Sequence, residues 1–77
     1  MAERTRTIKW IESRILKELS VRPAITTSLA LSAIVLENVR NMEEDHNLDI
    51  AVKNLKSRNL IQVQKDKDGF TIYQLAA

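Results

Sequence analysis

Few side chains in this 77-residue sequence have catalytic or ligating potential. His46 is the only histidine and there is no cysteine, so neither an imidazole–thiolate zinc set nor a thiol nucleophile can be assembled. Glu43, Glu44 and Asp45 form an acidic run beside it that could hold a hard cation loosely, but without the alternating oxygen ligands and glycine of a calcium loop. Gly69 is the only glycine, which excludes a glycine-rich phosphate loop. No nucleophile, base and orienting group stand together, so neither an enzyme nor a cofactor or metal is expected. What remains is hydrogen bonding and charge. Asp49, Ile50, Lys53, Asn54 and Ser57 share one side of a helical wheel, opposite an apolar stripe. Lys56, Arg58, Lys65 and Lys67 add cations on either side of the following turn.

The elements that must position these residues follow from periodicity. Ile8, Ile11, Ile15, Leu16 and Leu19 fall within a sector of about 140°, which predicts a core-facing helix over 7–20. Thr5 or Thr7 can cap its start, and Pro23 prevents its continuation. The β-branched Ile25-Thr26-Thr27 suits a very short extended segment, with Thr27 or Ser28 capping a second helix over about 28–42. Eight of the eleven residues from Leu29 to Val39 are apolar and surround the axis. Such a helix is expected to be covered on more than one side, which makes Leu31, Ile34, Val35 and Val39 candidate contacts with a second subunit. Trp10 lies nearly opposite the core stripe of helix 1, near Arg6, Ser13, Arg14 and Lys17. It joins that interface, braces the protein against DNA, or covers the edge of its own hairpin or helix 2.

An acidic connector, 43–47, then leads to a third helix over about 48–59. Leu48, Ala51, Val52 and Leu55 form its inner face, and Asn59 stands where a left-handed residue would end it. From Leu60 to Lys65 and from Phe70 to Leu75 the pattern alternates, with Ile61, Val63, Tyr73 and Leu75 expected inward. Asp66-Lys67-Asp68-Gly69 joins the two as a hairpin turn. The whole chain reads as one α+β domain, mainly helical, with three helices followed by a two-stranded hairpin.

Bulk properties narrow the class. At 44% apolar and 29% charged the chain is too hydrophobic to remain disordered. The stretch from Leu29 to Leu36 falls far short of the roughly 20 residues of a membrane span, and no export signal is visible at the start. A cytoplasmic protein without membrane contact is the expectation. Charge is segregated: residues 1–25 and 51–77 are each +3, whereas 26–50 is −4. That pattern fits a surface facing a polyanion and another that avoids it, and it fits chance in a small domain equally well.

The stretch from Leu48 to Ile61, with its Ala51-Val52 pair, Leu55, and Asn59-Leu60-Ile61 leading into the hairpin, resembles the winged-helix form of the helix-turn-helix superfamily. Tyr73-Gln74-Leu75 resembles the usual end of the second wing strand. Asn59 replaces the customary glycine, and helix 2 with its acidic connector is longer than in the compact motif. The resemblance implies that helix 48–59 enters the major groove of double-stranded DNA. Lys53 would then donate to guanine, Asn54 pair with adenine, Ile50 touch a thymine methyl, and Asp49 and Ser57 complete the face. Lys56, Arg58 and the wing's Lys65 and Lys67 would meet phosphate. It further implies a homodimeric transcription regulator paired through helix 2, with helix 1 as a further candidate contact. The alternative is a winged-helix protein-interaction module that does not touch DNA, and the outward face of helix 3 also fits a merely solvated surface.

Overall fold

The computed structural model describes residues 5–38 and 41–76. Over these it is α+β and mostly helical, in the order α1 (Ile8–Ser20), β1 (Ile25–Thr26), α2 (Ser28–Val35), α3 (Met42–Ser57), β2 (Ile61–Lys65) and β3 (Thr71–Leu75).

Helix α1 starts where Thr7 Oγ1 accepts from the Trp10 N–H at 3.1 Å, satisfying one of the free donors of the first turn. Its residues Ile11, Ile15 and Leu19, spaced four apart, are buried, and Ile8 and Leu16 pack at the margin of the same core. Val21 closes the helix ahead of Pro23. The chain then lays Ile25 against Tyr73 and Thr26 against Ile72, so that β1 joins β3 antiparallel. Sheet order is β1-β3-β2, with β3 central.

Thr27 links β1 to α2 and carries three constraints. Its N–H donates to the Thr71 carbonyl at 2.7 Å, its Oγ1 accepts from the Ala30 N–H at 3.1 Å, and its φ of 75° is unusual for a β-branched residue. Helix α2 is shorter than its apolar composition predicts. It stops at Val35, Leu36 turns fully into the core, and Glu37 takes a left-handed φ of 59° that ends the helix. The all-round apolar pattern reflects this break: Leu31, Val35 and Leu36 are all core residues of the chain itself. Leu31 and Val35 therefore do not form a surface for a second subunit, and Ile34 is half-buried against the same core. Val39 lies outside the described residues.

The expected acidic connector is instead the start of α3. Asn41 caps it, its Oδ1 accepting from the Glu44 N–H at 2.9 Å. Glu43, Glu44 and Asp45 occupy the first turn, where the helix dipole favours negative charge. The inner stripe of α3 is consequently one turn longer than predicted: Glu44, Leu48, Ala51 and Leu55 are all buried, and Val52 is half-buried. At its other end Asn59, at φ 60°, closes the helix. The Asn59 N–H donates to the Lys56 carbonyl and the Leu60 N–H to the Leu55 carbonyl, each at 3.0 Å.

In the hairpin Ile61 faces Leu75, Val63 faces Tyr73 and Lys65 faces Thr71. The turn is fastened by Asp66, whose Oδ1 accepts from the Asp68 and Phe70 N–H groups at 2.9 and 3.0 Å, while Gly69 supplies the φ of 88°. Ile61 and Tyr73 reach the core and Val63 packs beside them. Leu75 does not. It is the last residue of β3, two positions beyond the buried Tyr73, and is 40% exposed.

Candidate nucleic-acid interface

The outward side of α3 and the hairpin that follows it hold most of the residues singled out from the sequence. Asp49 and Lys53, one turn apart, face solvent and pair through Oδ2 and Nζ at 3.2 Å. An exposed pair of this kind stabilises a helix by only about 0.3–0.5 kcal/mol, so a ligand can displace it. Ile50 beside them is half-buried. Ser57 is exposed, and its hydroxyl donates to the Asn54 carbonyl at 3.0 Å.

Asn54 departs from the outward face predicted for it. Its Nδ2 donates to Glu12 Oε2 at 3.1 Å, and the second oxygen of the same carboxylate accepts from Arg58 Nη1 at 3.0 Å. Glu12 on α1 thus holds both side chains against the body of the domain. Asn54 and Arg58 brace α1 against α3, each through one nitrogen, with the Arg58 side chain still 56% exposed. A helical wheel carries no sign of this, since the partner lies 42 positions away.

The other arginines are occupied in the same manner. Arg6 pairs with Glu44, Arg14 with Glu18 and Glu37, and Arg22 with Glu18. Each of the four arginines among the described residues therefore has an acid partner. Lysines behave differently: among the described residues Lys9, Lys17, Lys56, Lys65 and Lys67 are exposed and enter no ion pair. Lys56, Lys65 and Lys67, together with Lys53, place one group of cations on the carboxyl-terminal half of α3 and the end of the hairpin, and Lys9 and Lys17 place another on α1.

Comparison with known families, curated proteins and solved structures yields no match to the chain.

Two features were not visible in the sequence. Trp10 is 43% exposed, as its place opposite the core stripe implies, but its contact is not: the Arg6 guanidinium lies 5.4 Å from the ring centroid, so the indole covers that cation. The second is an open cleft of about 600 Å³ between the first turns of α2 and α3, with Tyr73 contributing to its lining. Burial pushes the Tyr73 phenol above its ordinary value near 10, and the Asp49 carboxylate pushes it further the same way. Among the described residues no group of three or more His, Asp or Glu side chains is placed to hold a metal ion, and no helix is long and apolar enough to cross a membrane.

Proposed function

We propose that the chain is a winged-helix domain that binds double-stranded DNA, with the carboxyl-terminal half of α3 toward the major groove and the β2–β3 hairpin as its wing. The order helix, short strand, helix, helix, hairpin supports the reading, as does the pairing of β1 with the far side of the hairpin strand β3. The observation that carries it is the division of positive charge. Among the described residues each arginine has an acid partner within the domain, whereas Lys56, Lys65 and Lys67 enter no ion pair and lie with Lys53, whose only partner is the exposed Asp49, along one continuous stretch of chain. Lysine is a point charge with freely rotating donors, suited to phosphate more than to bidentate base reading.

On this reading phosphate attraction dominates affinity, and sequence preference is modest. Ile50 and Ser57 are left to meet base edges, since Asn54 is held by Glu12, and Lys53 joins the phosphate contacts. Helix α3 enters with its basic half, because Glu43, Asp45 and Asp49 on the other half would repel the backbone. Titration of duplex DNA at rising salt, with and without Lys56, Lys65 and Lys67, tests the proposal.

A protein-interaction module is the second reading, and the cleft between α2 and α3 is the observation that favours it.

A further inference from the structure

We propose that this cleft is a docking site for a protein segment carrying an apolar anchor flanked by lysine or arginine. The inference does not depend on DNA binding, because it uses the opposite half of α3. One wall is the first turn of α2, with Leu29; the other is the start of α3, with Met42, Asp45 and Asp49; Leu48 and Tyr73 lie deeper. Its volume, about 600 Å³, falls within the range in which one or two side chains bind in a concavity.

Two properties define the occupant. Leu29 is 81% and Met42 89% exposed, and both border the same concavity, so an apolar side chain entering it would remove both from water. Scattered apolar exposure needs no partner, but two large side chains flanking one apolar-floored cleft offer a contact surface. Charge then selects the sign of what flanks that anchor. The lining includes Asp45 and Asp49, one helical turn apart, and no lysine or arginine. Asp45 has no ion-pair partner among the described residues, and Asp49 has only the exposed Lys53. Cations on either side of the anchor would meet both carboxylates, whereas a phosphate backbone would be repelled. A basic apolar segment of another protein therefore fits where nucleic acid does not.

The test uses the full chain labelled with ¹⁵N and a small array of short peptides. Each has a central Leu, Met, Phe or Trp flanked by lysines or arginines, with a twin carrying glutamates instead. The expected result is that at least one basic peptide shifts the amide signals around Leu29, Met42, Asp45, Asp49 and Tyr73, and that its glutamate twin does not. Asp45→Asn should then weaken binding about two- to fivefold. Leu29→Ser, an exposed position where folding is not at stake, should weaken it about tenfold. The proposal is overturned if no basic peptide shifts these signals, if the glutamate twin shifts them equally, or if duplex DNA shifts them and displaces the peptide. Signals at Lys56, Lys65 and Lys67, none of them paired with a cleft carboxylate, followed with duplex in the same samples, report separately on DNA binding.

Discussion

Arg6 and Glu44 meet in a two-pronged, largely buried ion pair that joins the segment before α1 to the first turn of α3. Arg6 Nε and Nη2 donate to Glu44 Oε2 and Oε1 at 2.9 and 3.0 Å, and the Arg6 backbone N–H adds a third bond to Oε2 at 2.7 Å. The guanidinium also donates to the Leu36 carbonyl at 2.7 Å and to that of Asn38, and the Arg6 carbonyl accepts from Asn47 Nδ2 at 3.1 Å. One arginine thus ties together the chain's start, the exit from α2 and the entry to α3. With Glu44 fully buried at the head of the stripe Leu48, Ala51, Leu55, the carboxylate occupies a core position that its arginine makes tolerable.

Removing one partner should be costly. Glu44→Ala or Arg6→Ala breaks this largely buried pair from one side, a loss of about 3–5 kcal/mol. Since a domain of this size has roughly 4–12 kcal/mol in hand, either variant should have a much lower urea midpoint. The pair Arg6→Met with Glu44→Leu, which removes both charges together, should recover most of the loss. Equal midpoints for the single and double variants would show that the two residues do not act as a unit.

This pair also marks where the sequence stops being informative. Helix α1, the Asn59 stop and the Asp68-Gly69 turn are legible because their causes are local: apolar spacing, a left-handed residue, a glycine. Glu44 is not, because its burial depends on an arginine 38 positions away. An acidic triplet without apolar residues reads as a connector until that partner is known. A local signal did exist, since Asn41 and Glu44 have the spacing of an N-cap and the third helical residue. In the candidate interface the lysines were legible as exposed charge, whereas Asn54 and Arg58 were not, because Glu12 reaches them from another helix.

Thr27 should reverse a common order of substitutions. Replacing a helix cap by alanine normally costs about 1 kcal/mol, and glycine a few tenths. At φ 75° both threonine and alanine are strained, by about 1–3 kcal/mol, and glycine is not. Thr27→Gly should therefore unfold in urea at or near the wild-type midpoint, and Thr27→Ala clearly below it. A lower midpoint for glycine than for alanine would contradict the strained geometry.

Tyr73 makes stability pH-dependent at the alkaline end. Its raised folded-state pKa means that the neutral phenol is favoured in the folded chain, so the contribution is complete below the unfolded value near 10 and is lost as pH rises through the folded one. As the only tyrosine, it can be followed by tyrosinate absorbance. The native chain should titrate above pH 10 and the urea-unfolded chain at the ordinary value. Asp49→Asn should move the native curve part of the way down, burial being the larger cause.

Pairing through α2 has lost most of its expected surface, since Leu31 and Val35 lie in the core and Leu29 is the large apolar residue of α2 left outside. Light scattering at micromolar concentration should give the 8.8 kDa of one chain, for both wild type and Leu29→Ser. Twice that mass for the wild type, falling to one chain in Leu29→Ser, would restore the α2 dimer.

The central claim is that Lys53, Lys56, Lys65 and Lys67 bring the domain to DNA, and the salt dependence of duplex binding tests it most directly. Four phosphate contacts predict a slope of log affinity against log salt near −3.6, a loss of roughly a hundredfold between about 50 and 200 mM. Replacing Lys56, Lys65 and Lys67 together by alanine should cut the slope to about −1 while leaving the urea midpoint unchanged. A wild-type chain that binds no duplex at low salt, or whose slope survives the triple replacement, contradicts the account.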